Sequence, residues 1–521
     1  MPAEGADGAE PPWYSETGRA GRMGKGGSVS VKEGAVMPED APGNPGAVRQ
    51  AAVYRKVREM QAKLHRWAGE DHSRRFGDLF NLVCDLEFLA EGWHRVRANA
   101  GSRTPGIDKA TVADIENRIG AGAFLEQIRD SLKSGEFRPE PVRQVMIPKK
   151  SGKMRKLGIA TVADRVVQAA LKLVLEPIFE ADFQPCSYGF RPGRRAHDAI
   201  SEIQLFATQG YTWVLEADIR ACFDEIRHVP LMGRLRARIK DKRVLALVKA
   251  FLKAGVMTAD GDREESYTGT PAGGILSPLL ANIALSALDD HFTRQWHEQM
   301  GTRWQREKRR HKGLGTWRLV RYADDWVILV NGTRAHAEAL REEAAAVLAP
   351  LGLRLAEEKT RVVHVDEGFD FLGFTIRRMR KRGTAKRYVY TVPSRKAIQA
   401  VKDKISAKTY RSTRHLDPGV LIQGINRTMA GWANYFRYGV SKDVFSAVDA
   451  HAWGRIMRWL RHKYSHMGMP ELRRRFCVRG TWQFAANGVR FTGAFSVPVT
   501  RYRYRGSIPT PWAPQPVPAP G

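Results

Sequence analysis

The chain has 521 residues and is 43% apolar, enough for roughly two to four domains with hydrophobic cores and too much for a fibre or a wholly unfolded protein. Lys and Arg number 85 against 55 Asp and Glu, a formal charge of +30, which excludes indifference to polyanions and points to nucleic acid as the partner. Its four cysteines are isolated, so neither a disulfide framework nor a zinc knuckle is written, and no apolar run reaches the length of a membrane span.

Met1 to about Pro45 is rich in Gly, Ala, Pro, Glu and Ser, with too few large apolar residues to offset the entropy of ordering. A leader without fixed structure is expected there. Further on, Lys149, Lys153, Arg155 and Lys156 surround Gly152 in a stretch that reads as a charged hairpin. Ala163 to Phe179 sets Val166, Val167, Ala170, Leu171, Val174, Leu175, Ile178 and Phe179 at helical spacing, which predicts an amphipathic helix on a core. Ser187 to Gly193 mixes glycines, aromatics and Arg191, a pattern suited to close approach of a strand and equally to a turn.

Trp213 to Ile219 reads as a strand, and Gly269 to Ser277 is glycine-rich without the spacing or the lysine of a phosphate loop. The insertion Arg303 to Lys312 reads as a basic loop, either facing RNA or simply solvated. Arg318 to Val330 predicts two short strands about a tight turn at Ala323-Asp324-Asp325, and Val365 to Ile376 a further pair broken by Gly368 and Gly373. A charge run between Arg377 and Pro393 reads as a domain boundary. Beyond it the pattern is helical and basic, as in Ala452 to Tyr464, and Ile508 to Gly521 reads as an extended Pro-rich tail.

The acids carry the chemistry. Asp218 ends a strand and Asp324 and Asp325 occupy a hairpin tip, each beside apolar residues that require burial, and a buried carboxylate needs a compensating partner. An isolated Asp-Asp turn is ordinarily a solvated turn. Two such elements on adjacent strands can instead converge on a pair of Mg²⁺ ions, a hard cation that takes oxygen ligands and keeps substrate phosphates in its shell. Two ions can activate an attacking 3′-hydroxyl and stabilise departing pyrophosphate, which is nucleotidyl transfer.

Tyr322-Ala323-Asp324-Asp325 within strand–turn–strand resembles the catalytic hairpin of reverse transcriptases. Blocks in the same order over about residues 100 to 375 resemble group II intron-encoded proteins in particular: RTPGID (103–108), IPKKSGKMRKLGIATVADRVVQ (147–168), EADIRACFDEIRH (216–228), GTPAGGILSPLLANIALSALD (269–289), LRLAEEKTRVV (353–363) and FDFLGF (369–374). The resemblance implies an α+β right-hand polymerase, fingers and palm, followed by an α-helical thumb/maturase domain. Its layout would be a leader (1–47), an N-terminal extension (48–135), fingers and palm (136–380), thumb/maturase (381–480), and a short DNA-binding-like region with a Pro-rich tail (481–521).

Carried over by position, Asp218, Asp324 and Asp325 are the implied catalytic and metal-binding carboxylates, with the Ile219 carbonyl a further ligand for two Mg²⁺ ions. Lys149 and Arg155 would hold triphosphate oxygens, Phe223 would be the steric gate against a ribose 2′-hydroxyl, and Ala272 stands in the nucleotide-binding block where the family usually has Gln. The family also usually has Pro where this chain has Lys156 and Ala160. Arg191 is implied to contact the template, and Leu372 and Gly373 to form the primer grip, although the Phe371 to Phe374 segment suits a sheet core as well.

Gly431 to Tyr438 resembles the maturase motif, with Tyr435, Arg437, Arg455 and Arg458 the implied RNA contacts and Trp432 and Phe436 core. The paired cysteines of the zinc-stabilised nuclease that ends many relatives are not written after Cys477, so mobility is expected to draw its primer from elsewhere. The implied partners are group II intron RNA, an RNA template with a DNA primer, target DNA and dNTPs, within a ribonucleoprotein of the bacterial cytoplasm. The alternatives are a splicing-only maturase, a host-domesticated reverse transcriptase and an RNA-templated RNA polymerase.

Overall fold

The computed structural model describes residues 45–148, 154–258, 262–265, 267–270, 273–381 and 383–513, so the expected leader lies almost wholly outside the described residues. Among the described residues, 45–365 together with 504–513 form one compact unit and 366–503 another.

The first unit is organised around the helix Val162–Glu180, the one its apolar spacing predicted. Apolar residues cover more than one face of it, and Val166, Val167, Ala170, Leu171, Val174, Leu175 and Ile178 are fully buried, as a helix packed on several sides must be. Thr161 caps it by accepting from the Asp164 N–H, satisfying one of the amides a helix start leaves open. Helices Pro45–Glu70 and Leu86–Ala98 pack against it.

A four-stranded antiparallel sheet completes this unit, in the order Thr316–Tyr322, Asp325–Asn331, Trp213–Asp218, Arg361–His364. Trp326, Val327, Ile328, Leu329 and Val330 are all essentially inaccessible. Their unbroken apolar run fits a strand buried on both faces rather than an alternating one. Each such side chain contributes roughly 1.5–3 kcal/mol by leaving water. Helices Ser277–Gln295 and Arg334–Leu348 pack on the sheet. A second sheet contains the antiparallel pair Val142–Pro148 and Met154–Ile159, the strands of the charged hairpin.

In the second unit, Phe369–Phe371, Phe374–Arg380 and Arg387–Pro393 form an antiparallel sheet. The charge run read as a boundary is therefore a hairpin, in which Arg377 pairs with Tyr390 and Arg380 with Arg387. Long Arg stems on an exposed ribbon produce the same residue pattern as a linker. Helices Arg395–Lys408, Pro418–Phe436, Lys442–Lys463 and Met469–Phe476 follow.

Two segments depart from expectation. Arg303 to His311 is a helix, not a loop, closed at its start by a capping box between Thr302 and Gln305. The described part of the Pro-rich tail is anchored rather than extended: Trp512 is buried against the first long helix, where its indole N–H donates to Gln61 at 3.3 Å and Arg58 donates to the Pro511 carbonyl at 3.0 Å. All four cysteines are buried and unpaired, and no helix among the described residues is long and apolar enough to cross a membrane.

Candidate active site

Asp218 is the last residue of its strand, and in the sheet register it faces Asp325, the first residue of the next one. Asp325 also faces Tyr322 across the hairpin, so Ala323 and Asp324 are the whole loop. A two-residue hairpin loop demands positive φ, and Ala323 supplies it at +58°, a conformation that costs a residue with a Cβ roughly 1–3 kcal/mol.

What holds that turn is a buried polar knot. Arg321, wholly inaccessible, donates from Nε to Asp289 Oδ1 at 2.7 Å and from Nη2 to Asp289 Oδ2 at 2.5 Å. Its Nη1 donates to the Ala323 carbonyl at 2.8 Å and to Asn282 Oδ1 at 3.0 Å, and Nη2 also reaches Ser187 Oγ at 2.7 Å. Asn282 in turn donates to the Gly189 carbonyl at 2.8 Å. A Cβ at Gly189 would lie 2.3 Å from the Ala323 nitrogen. The glycine is thus required for the close approach of backbone to the hairpin tip.

The three acids meet electrostatically. Crowding by protein, then the charges of Asp324 and Asp218, push the Asp325 carboxyl up to about 6, even though that side chain keeps an edge open to solvent. Burial, then Asp324, Asp218 and Asp224, also raise the Cys222 thiol. Lys359 donates to Asp218 Oδ2 and offsets part of the negative charge. Among the described residues no three His, Cys, Asp or Glu side chains stand in a metal-holding group. In charge and donor type the carboxylates of Asp218, Asp324 and Asp325 suit a hard divalent cation, but as they stand their side chains are not drawn into a common ligand set and Lys359 pairs with one of them.

Ile219 bridges to Leu355 beside the acids. Phe223 follows the left-handed Ala221, φ +41°, in the one-turn helix Cys222–Glu225, and is half-buried against the core. Its carbonyl accepts from the Thr270 N–H at 2.6 Å. Gly269, at φ +82°, permits that contact, since a Cβ there would sit 2.7 Å from the Phe223 carbonyl oxygen. The glycine-rich block is thereby tied to the loop bearing Phe223. Lys149 and Ala272 lie outside the described residues, and of Arg155 only the strand backbone, paired with Ile147, is described.

Arg191, implied to contact the template, is turned into the protein. Its side chain is buried, pairs with Glu180 at 2.8 Å, and donates to the carbonyls of Gln184 and Ser187 at 2.6 and 2.8 Å. Burial of a guanidinium requires such saturation. Arg455 is half-buried and donates to Thr409 Oγ1 at 2.9 Å and to the Ser406 carbonyl at 3.1 Å; carbonyls at a helix end attract a cation. Arg458 is exposed.

In the second unit, the Tyr435 hydroxyl donates to the Leu372 carbonyl at 2.9 Å. Leu372 and Gly373 both have positive φ, +48° and +81°. The segment read as a primer grip is thus held by a residue read as an RNA contact. Phe436 is buried and Trp432 half-buried, while Arg437 Nε is buried without a hydrogen-bond partner.

Arg321, Asp289, Asn282 and Lys359 were not singled out by the sequence reading. A signal existed for the first two: an arginine inside an apolar strand, and an aspartate closing the apolar run of a helix, each need a buried partner of opposite charge.

A family model described as reverse transcriptase (RNA-dependent DNA polymerase) matches residues 147–376, and one described as group II intron, maturase-specific domain matches 398–477. The chain is 40% identical over 359 residues to Protein YkfC of Escherichia coli K12, an alignment covering 66% of this chain and 93% of that protein. It is 35% identical over 360 residues to the group II intron-encoded protein LtrA of Lactococcus lactis, covering 60% of this chain and 58% of LtrA. Against a 91 kDa protein encoded in the cob intron of Schizosaccharomyces pombe it is 30% identical over 464 residues, covering 76% of this chain and 56% of that one. The chain thus spans less than two thirds of the last two.

Proposed function

This chain belongs to the family of group II intron-encoded reverse transcriptases with a maturase domain, and from that membership we propose that it is an RNA-directed DNA polymerase that extends a DNA primer on an RNA template and binds its own intron RNA to promote splicing and mobility. The observation that carries the reading is the register that sets Asp218 opposite Asp325 at the tip of the hairpin bearing Asp324.

Asp218, Asp324 and Asp325, with the Ile219 carbonyl, would hold two Mg²⁺ ions. When bound, these supply charge neutralisation on the triphosphate and activation of the primer 3′-hydroxyl. Lys359 balances Asp218 in the meantime. Phe223 would exclude a ribose 2′-hydroxyl by sterics, while Lys149 and Arg155 would bind triphosphate oxygens. We infer a right-hand layout of fingers, palm and helical thumb, with exposed basic residues such as Arg458 on the intron RNA, and a ribonucleoprotein in the bacterial cytoplasm.

The test is primer extension with purified protein. Product should require an RNA template, dNTPs and Mg²⁺ together; protein that binds intron RNA tightly but adds no nucleotide would make it a splicing-only maturase. Phe223→Ala should raise ribonucleotide incorporation relative to deoxyribonucleotide by roughly 10- to 100-fold, the range one hydroxyl commands in a steric pocket. Unchanged sugar selectivity would remove the gate.

A pH dependence follows from Asp325. Because its carboxyl is pushed up to about 6, it is half-protonated at that pH and increasingly neutral below it. A neutral carboxyl is a poor cation ligand, so extension should fall as pH drops through about 6. Raising Mg²⁺ favours the charged form and should move that limb to lower pH. A limb that stays put across a Mg²⁺ titration would show that another group titrates.

A further inference from the structure

The second unit contains a cavity of about 320 Å³ that plays no part in the chemistry above. Its walls are Trp453, Trp482, Phe491 and Phe495, with Asp449 and Gln483 as polar members. Trp453 comes from the helix Lys442–Lys463, whereas the other three rings come from residues 478–503, beyond both matched family models. The volume lies at the low end of the roughly 300–1,000 Å³ typical of small-ligand sites.

Its walls are fixed. The Trp453 indole N–H donates to the Trp482 carbonyl at 3.0 Å, and the two rings meet edge to face with centroids 5.8 Å apart. Asp449, 6% exposed, accepts from the Ala494 and Phe495 N–H groups at 2.6 and 3.0 Å and so pins the loop that carries Phe495. Gln483 donates to the Phe491 carbonyl at 2.9 Å. Phe495 itself is 45% exposed, an aromatic ring left at the mouth.

A second, larger hollow of about 790 Å³ is also lined by Trp482; its other walls include Arg473, Arg474 and Arg479. Arg474 and Arg479 are exposed. Trp482 therefore lines both an aromatic hollow and a cationic one.

We propose that this double chamber binds one unpaired nucleotide of a single strand, its base among Trp453, Trp482 and Phe495 and its flanking phosphates on Arg474 and Arg479. Base stacking on aromatic rings with phosphate on adjacent Arg is the chemistry of single-strand recognition. Asp449 keeps phosphate out of the aromatic chamber by repulsion. A cationic ligand is disfavoured because the rings already carry cations: Arg473 lies 4.5 Å from the Trp482 centroid and Lys442 3.8 Å from that of Phe495. The site rests on the reading that the protein handles nucleic acid, but not on polymerisation.

The test uses the full chain and short single-stranded oligonucleotides, RNA in one arm and DNA in the other, each carrying one 2-aminopurine. Stacking in the chamber should quench the fluorescent base at saturation. Phe495→Leu and Trp482→Leu should each lose most of that quenching and about tenfold in affinity. An Arg474→Ala/Arg479→Ala pair should weaken binding and flatten its salt dependence while leaving quenching at saturation intact. Phe495→Leu alters an exposed side chain, and its denaturant unfolding midpoint should match wild type, which guards against misfolding. Quenching in one arm only assigns the strand as RNA or DNA. Equal quenching and affinity in wild type and both ring variants would overturn the proposal, as would no quenching by wild type in either arm. Loss of extension in wild type with quenching intact would sink the polymerase reading and leave the chamber standing.

Discussion

Asp324→Ala should reduce RNA-templated primer extension at least about a thousandfold while leaving the protein as stable as wild type or slightly more so. The two halves have one cause. Desolvation, and after it the charges of Asp324 and Asp218, hold the Asp325 carboxyl at about 6; like charges brought near one another oppose folding, and a divalent cation would reverse the sign of that interaction. Removing one acid relieves the repulsion in the folded protein. It also removes a ligand whose contribution to the transition state is several kcal/mol, each 1.4 kcal/mol or so being tenfold in rate. Extension rates and denaturant unfolding on the same preparations check both halves. A variant that still extends at a tenth of the wild-type rate removes Asp324 from the metal site. A variant that is inactive but strongly destabilised would show the acid to be structural.

Asp289→Ala should cost about 3–5 kcal/mol of stability, the penalty for stranding a buried charge, and should also abolish extension. Arg321 is wholly inaccessible and devotes two nitrogens to Asp289, so loss of the carboxylate leaves a guanidinium with no route to water. The two effects can be separated. Replacing both partners with apolar residues of similar volume, Arg321→Met with Asp289→Leu, should recover most of the stability, because the buried charge is then gone. Extension should not recover, since Arg321→Met takes away the donor to the Ala323 carbonyl that holds the turn. Recovery of both would reduce the pair to ordinary packing. Recovery of neither would mean that the polar knot specifies the fold of the sheet as a whole.

The elements legible in the sequence were those whose period is strong. Helix Val162–Glu180, strand Trp213–Asp218 and the hairpin about Asp324 lie where their apolar spacing put them, because burial on several sides leaves little choice of register. Arginine is the residue whose surroundings the sequence shows least. Arg191 and Arg455 looked like nucleic-acid contacts, yet their partners are Glu180, a hydroxyl and main-chain carbonyls, and composition cannot distinguish an inward guanidinium from an outward one. Arg303 to His311 was read as a loop on its charge alone, although the Thr302–Gln305 capping box was available as a helix signal. Trp512 was overlooked because prolines surround it, and proline-rich composition hides a single anchoring ring.

That ring has a consequence for biosynthesis. Tyr504 to Ala513 belongs to the unit built from residues 45–365, with Arg505 clasping Asp198 at 2.6 and 2.8 Å and Trp512 seated beside Gln61. A ribosome delivers all of 366–503 before it delivers these contacts. The polymerase unit therefore cannot finish assembling as it emerges; its last stitch waits until translation has carried the intervening helices clear, and a nascent chain stalled before residue 504 holds that unit unsealed.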